Sequence, residues 1–598
     1  MKRKGFTLIE LLAVIVILSV IALITTPMIL NIIEETRKKA SIESVNGILD
    51  AAEKYEITSI LEGEETRRFE FPEDTKLQYK GTKPESGTLI IDEEGNTSIT
   101  VLINGYCVRK RFNETTPSVI EEKNCTIEDS ELIYAERYKE EILNGAYPEI
   151  KNELIPVTIE SNGTVTYADI RKEWYSYKNK VWANAVILKD NVTHSVGEVI
   201  PESDIKQYYV WIPRYKYELW NVNGENKYPN GTSSESTINI VFESKDKEIS
   251  TGTENGEWLT HPAFTSFNTN GIWVGKYETS YDEKTYTDTS KFLTTNPNYT
   301  AVTQASNIII KPNVRSLTNK KVSEFYTLGR GINEGLNSHM MKNSEWGAVA
   351  YLTYSLYGKC TETGCEEVYL NNINTGYYPA SSATFTGQWQ YGASITGCSA
   401  SSTSSGGVGN QTSCESGYAY NEINNKASTT GNISGIYDMS GGNWEYVMGV
   451  LKDASGNPMS GRNSKYNSGF NGTYGCPTCD SDTSGLTSLT TGIDFPTDTR
   501  YYDLYTANST SLGNETWYKY ENGHLGDATK EIAISKSNGS SGDRGLWYSD
   551  YAYFPAMTCP WVARGGNFGN GTGAGVLFFN RYGGHAGSNG AFRVVLAI

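Results

Sequence analysis

Histidine is scarce in this chain, five in 598 residues. His194, His261, His339, His524 and His585 stand far apart, no two at metal-ligand spacing, so a histidine-built metal centre is not expected. No Ser-His-Asp or Cys-His context argues for nucleophilic catalysis, and the chain is not expected to be an enzyme. Positive charge is also in short supply, with 52 Lys and Arg against 69 Asp and Glu. No Lys/Arg stripe follows the first four residues, which argues against nucleic acid as a partner. What the chain has instead is 58 Gly, 41 Tyr and much Asn, Ser and Thr, the composition of a loop-rich extracellular β protein. Regular helix is expected mainly at the amino end, and the length suits two or three domains.

The amino end is the most informative stretch. Lys2 to Ile33 read KRKGFTLIELLAVIVILSVIALITTPMILNII, a basic head, Gly5, Phe6 and an apolar run. A secretory signal peptide would place a small-residue cleavage site after such a core. Here the processing signal precedes it. Phe6 to Ile33 is long enough to cross a hydrocarbon layer, which needs ~20 residues. Glu10 is its only ionisable side chain, and a carboxylate in that setting needs a partner or a function.

These residues resemble the start of a type IV pilin or pseudopilin: basic leader, Gly, Phe, Thr-Leu-Ile-Glu and an apolar helix. The resemblance implies cleavage after Gly5 by a prepilin peptidase and methylation of the new Phe6 amine. It also implies that Glu10 pairs with the amine of a neighbouring pilin subunit, with the inner membrane holding the chain before assembly. Pro27 matches a helix-bending proline of that family. Removing residues 1–5 takes away three cations and leaves a formal charge near −20.

The helix should continue beyond the apolar run as an amphipathic one, with Ile42, Val45, Ile48, Leu49, Ala52 and Tyr55 on one face. Strand-like runs follow at Arg68–Phe71, Thr88–Asp92, Ser98–Ile103 and Tyr106–Arg111. A long helix on a small antiparallel sheet is the pilin plan. The expected organisation is therefore α+β: leader 1–5, transmembrane or filament-core helix 6–33, pilin-like domain 34–130, linker 131–155 and a large domain 156–598.

Eight of the nine cysteines fall into near neighbours: Cys107 with Cys125, Cys360 with Cys365, Cys398 with Cys414, and Cys476 with Cys479. They read as local disulfides of an oxidising compartment, with the connectivity left open. Cys559 is left over. Cys476-Pro-Thr-Cys479 sits among Gly, Ser, Thr and Asp rather than at a helix start, which favours a structural loop closure over a redox motif.

The large domain carries Tyr209-Val-Trp-Ile-Pro-Arg-Tyr215, Gly271-Ile-Trp-Val-Gly-Lys-Tyr-Glu-Thr279, Ser344-Glu-Trp-Gly-Ala348, Gly435-Ile-Tyr-Asp-Met-Ser-Gly-Gly-Asn-Trp-Glu-Tyr446, Trp561-Val-Ala-Arg-Gly-Gly566 and Ala591-Phe-Arg-Val-Val-Leu596. In this order they resemble the formylglycine-generating-enzyme branch of the C-type-lectin fold. Gly442 and Asn443 stand where that pattern has Asn and an apolar residue, so the turn should differ. The redox cysteine pair or iron-binding histidines that such enzymes need are absent from the sequence. So are the Glu-Pro-Asn and Trp-Asn-Asp tripeptides of calcium-dependent sugar-binding lectins. No cofactor is expected, and structural calcium in the Asp/Asn-rich loops has no motif behind it.

Gly565 to Gly590 contains ten glycines in 26 residues, too many for a regular helix or long strand. The stretch resembles the variable region of diversity-generating-retroelement targets. That resemblance implies a ligand face made of Phe568, Gly569, Gly573, Phe578, Arg581, Tyr582, Gly583, His585, Gly587 and Ser588, on a scaffold that includes Arg564, Gly566, Phe592 and Arg593. Aromatic, Arg and small polar side chains on a rigid frame suit adaptable recognition. The expected function is thus a minor or tip pilin that binds an extracellular protein or glycan. The alternatives are a pilin-anchored enzyme or a pseudopilin of a secretion or DNA-uptake machine.

Overall fold

In the computed structural model the described residues are 8–62, 68–120, 125, 147–218, 236–245, 258–281, 302–372, 394–400, 425–475, 487–506, 525–532 and 547–598, apart from 92–96, 171–172 and isolated positions. The chain forms two compact units, Met1–Glu140 and Glu141–Ile598. Both helices and antiparallel sheets are present, so the class is α+β.

The first unit is one helix and one sheet. Helix α1, Leu8–Glu62, runs 55 residues and passes through Pro27 without a break. Strands β1 (Arg68–Phe71), β2 (Ser86–Ile91), β3 (Thr97–Ile103), β4 (Tyr106–Lys110) and β5 (Ser118–Ile120) form an antiparallel meander in chain order. The i, i+3, i+4 spacing of Val45, Ile48, Leu49 and Ala52 turns one stripe of α1 onto Phe69, Leu89, Ile99, Val101 and Val108. Ile42 and Tyr55 pack at its margins, as their spacing predicts. Cys107 on β4 is bonded to Cys125, tying down the chain just past β5.

Among the described residues, the core of the first unit takes in α1 only from its second half. Sixteen large apolar side chains between Leu8 and Ile33 are exposed, from Leu8 at 84% to Ile33 at 43%. Surface of that extent marks a membrane or protein contact. Among the described residues, however, no helix is long and apolar enough to cross a membrane. A span over Phe6–Ile33 rests on the sequence.

The second unit is built on a seven-stranded sheet. In spatial order its strands are His339–Met340, Val594–Leu596, Gly271–Gly275, Ile205–Pro213, Asn184–Leu188, Ile155–Ile159 and Val165–Tyr167, all antiparallel to their neighbours. A mixed sheet centres on Trp444–Lys452, flanked by Asp503–Thr506, Trp561–Arg564 and Gly590–Phe592, with Phe579–Tyr582 beyond. The expected linker ends too late. Trp273 donates its indole N–H to the Glu149 carbonyl at 2.8 Å and Leu154 is buried, so the chain from Tyr147 already belongs to the second unit.

The apolar landmarks become the core of this unit: Trp182, Trp211, Trp273, Trp346 and Trp561 are all fully buried. The Ser344-Glu-Trp-Gly-Ala348 motif lies in a helix, Asn343–Thr353. Gly347 there lets the helix touch the chain at Gly526, whose carbonyl oxygen would lie 1.9 Å from an added Cβ. Among the described residues of the second unit the α-helices are short, Val322–Gly331 and Asn343–Thr353.

Candidate ligand-binding face

The charged residues of the landmarks meet in the interior. Lys276 is fully buried and donates to Asn184 Oδ1 at 2.8 Å and to the carbonyls of Ile433 at 2.6 Å and Gly435 at 2.8 Å. Burial holds its ammonium well below the usual lysine range. Glu278 accepts from the Asn443 backbone N–H at 2.6 Å, from the Ser394 hydroxyl at 2.9 Å and from the Ser316 hydroxyl. Burial, with Asp438 and Glu445 nearby, pushes Glu278 well above the carboxylate range. Arg593 forks onto both oxygens of Glu445 at 2.5 and 3.0 Å and donates to the carbonyls of Gly275 and Tyr437.

The Gly442-Asn443 turn is set by the residues packed against it. Gly442 has φ of +66°, and a Cβ there would lie 2.3 Å from Glu278 Oε1. Asn443 accepts from the Ser394 N–H and hydroxyl, both at 2.7 Å. The turn is shaped to close around a buried carboxylate. These residues, and the buried Arg564 and Phe592, are architecture rather than contact surface.

At the ends of the mixed sheet the picture changes. Trp444, Arg462, Tyr466, Arg581, Tyr582 and His585 are all half-buried. Tyr582 tilts against Trp444 with centroids 4.8 Å apart, and His585 meets Tyr466 edge-on at 4.9 Å. The guanidinium of Arg462 and the ammonium of Lys465 approach the Tyr466 ring at 5.9 and 5.1 Å. Burial, with Arg462 adding to it, lowers the His585 pKa, which keeps the imidazole neutral at pH 7. Burial raises the unpaired Cys559 thiol against the opposing pull of Arg581 and Arg462.

The backbone below is held without regular structure. The carbonyls of Gly584, Gly587 and Asn589 accept from the N–H groups of Val322, Asn319 and Trp444, and Tyr446 donates its hydroxyl to the His585 carbonyl at 3.1 Å. Glycine-rich chain is therefore fixed by hydrogen bonds from neighbouring segments.

Of the ten expected contact positions, Tyr582 and His585 join this cluster through Trp444 and Tyr466, Arg581 is half-buried beside Tyr582 on the strand Phe579–Tyr582, and Gly587 is near them in the chain and partly exposed. An added Cβ at Gly587 would meet only Asn589 Oδ1, at 3.6 Å, so the position has room for a side chain. Gly569 is exposed and equally open. Four expectations are corrected. Phe578 is fully buried and Phe568 nearly so, because both rings fill the core. Gly573 packs under the Tyr551 ring, 2.7 Å from an added Cβ, and Gly583 lies 2.9 Å from the Tyr466 carbonyl on the same measure. Neither has room for a larger residue. Ser588 lies outside the described residues.

Trp444, Arg462, Lys465 and Tyr466 belong to this cluster and are not among the positions the sequence singles out for it. Trp444 is quoted above as a fold landmark, and only its neighbour Glu445 turns inward. Strand alternation is the signal that could have separated them.

The Cys360–Cys365 bond is present, and Cys398 is disulfide-bonded. Cys414, Cys476 and Cys479 fall outside the described residues, as do Gly5 and Phe6. Glu10 lies on α1. Among the described residues no group of three or more His, Cys, Asp or Glu is placed to hold a metal ion.

Residues 1–26 match the family described as the prokaryotic N-terminal methylation motif. The chain thus carries the amino terminus of a prepilin-type protein. Two curated proteins from Pseudomonas aeruginosa, each described as a fimbrial protein, are 31% identical to it over 102 residues. That is 17% of this chain, which spans 61% of the length of each relative.

Proposed function

We propose that the protein is a subunit of a type IV filament whose carboxy-terminal unit is a binding domain. The methylation motif, followed by a helix whose described apolar side chains from Leu8 to Ile33 are exposed, is the observation that carries the filament part. Before assembly that half lies in the inner membrane, and in the filament it packs on the same half of neighbouring pilins, where Glu10 meets an amine. A unit of more than 400 residues at every position would crowd a filament, which favours a minor or tip subunit.

The binding part rests on the half-buried aromatic and cationic face on a fixed backbone, the arrangement that gives contact area at little entropic cost. Two features support a C-type-lectin-like reading of the unit. The Gly271–Gly275 strand lies beside Val594–Leu596, and the Trp444 strand lies between Trp561–Arg564 and Gly590–Phe592, so four sequence landmarks are direct neighbours. The target is an extracellular protein or glycan, and the unit acts by binding rather than catalysis. No cofactor is assigned to it. Whether Gly565–Gly590 varies between copies of the gene follows from deep sequencing of those codons.

Two outcomes are expected. Replacing Gly5 by valine should leave only uncleaved precursor on an immunoblot, and processed protein in that variant would defeat the leader assignment. Replacing Arg581, Tyr582 and His585 together by alanine should reduce attachment of filament-bearing cells to the level of a deletion strain, with filaments still visible. Unchanged attachment would place the binding face elsewhere.

A further inference from the structure

A concave site in the carboxy-terminal unit uses none of the residues of the aromatic face. It is a cleft of about 660 Å3, within the size range of small-ligand sites. Lys180, Lys359 and Lys426 line it, and Glu366 is the one carboxylate among the lining residues. In a chain with a formal charge of −17, this is a local excess of positive charge.

The three lysines are placed by different means. Lys180 donates to the Cys360 carbonyl at 2.7 Å, on a hairpin, Cys360–Thr361 with Gly364–Cys365, closed by the Cys360–Cys365 disulfide. Lys426 sits with its ammonium 5.2 Å from the Tyr369 ring centre. Lys359 is the deepest, with a side chain only 5% exposed. Its carboxylate partner, Glu366 at 3.3 Å, is 83% exposed and well screened by water. Burial, with Lys180 and Lys426 acting in the same sense, lowers the Lys359 pKa against the opposing pull of Glu366. A buried ammonium facing two others is a group that an entering anion would stabilise.

The rest of the lining suits hydroxylated ligands. Thr361, Thr363 and Thr430 contribute hydroxyls. Gly431, with φ of +76°, leaves the Lys359 ammonium accessible, since a Cβ there would lie 3.2 Å from it. Lysine supplies point charge without the planar fork of arginine, which fits an anionic group presented in more than one orientation.

We propose that this cleft binds a carboxylate- or sulfate-bearing saccharide, with the anionic group among Lys180, Lys359 and Lys426 and the sugar hydroxyls against the threonines. The reading does not depend on the aromatic face. It is tested by calorimetric titration of the full chain in nonionic detergent with glucuronic acid, N-acetylneuraminic acid, galactose 6-sulfate, inorganic sulfate and glucose. At least one charged sugar should bind and glucose should not. The exposed variant Lys426→Glu should weaken binding at least tenfold with an unchanged melting temperature, and Lys359→Met should weaken it further. The Arg581/Tyr582/His585 alanine variant should bind as the parent does. Absence of binding by all three charged sugars, or equal affinity in Lys426→Glu, would overturn the proposal. Sulfate alone binding as tightly as the sulfated sugar would overturn the saccharide part, and loss of binding in the alanine variant would move the anion site to the aromatic face.

Discussion

Replacing Arg593 by methionine should destabilise the carboxy-terminal unit by about 3–5 kcal/mol, read as a fall in its urea midpoint. The fully buried guanidinium makes four donations, two to Glu445 and one each to the carbonyls of Gly275 and Tyr437. Methionine fills much of the volume and satisfies none of these acceptors. Glu445 would then be a buried carboxylate with Asp438 and Glu278 as acidic neighbours and no cation to answer it. It must take a proton or the fold must open. Changing Glu445 to glutamine in the methionine variant should therefore recover part of the loss. If the double variant is as unstable as the sum of the two single changes, the pair is not coupled and the account is wrong.

The second large effect is one of pH. Glu531 is buried and accepts from the Tyr217 hydroxyl at 2.7 Å, the Gly526 N–H at 2.6 Å and the Tyr351 hydroxyl. Burial outweighs these bonds and raises its pKa from 4.5 to about 7. A carboxyl with a raised folded-state value binds its proton more tightly in the folded chain. Its contribution to stability is complete below pH 4.5 and is lost as pH rises through 7. Glutamine keeps an oxygen for Gly526 and Tyr351, offers an N–H to the Tyr217 hydroxyl and does not titrate. The Glu531→Gln variant should match the parent near pH 4.5 and exceed it by about 3 kcal/mol at pH 8, from 2.5 pKa units at ~1.36 kcal/mol each. His261, lowered by burial to about 3, has the opposite pH dependence in both proteins and cancels in the difference. A stability difference that does not grow between pH 5 and 8 would show that Glu531 is not the group responsible.

Local pattern made the first unit readable. The stripe Val45, Ile48, Leu49, Ala52 and the four strand-like runs depend on periods of 3.6 and 2, which neighbouring residues alone express. β5 is not legible in the sequence because three residues, Ser118–Ile120, carry too little alternation. Residues 147–154 show no period that ties them to the second unit, because their attachment comes from a backbone carbonyl meeting Trp273 more than a hundred residues away.

The sequence by itself determined the prepilin-type amino terminus, the α+β class and the Cys107–Cys125 and Cys360–Cys365 neighbours, since each depends on residues close together in the chain. Tertiary structure alone decided which glycine-rich positions face outward. Phe578 and Tyr582 are both aromatic and four residues apart, yet one is fully buried and the other rests half-exposed against Trp444. Tertiary structure also gathered Lys180, Lys359 and Lys426 into one cleft, and turned Lys276, Glu278 and Arg593 inward. Charge next to charge across such separations is set by how the sheets pack, and no local period encodes it.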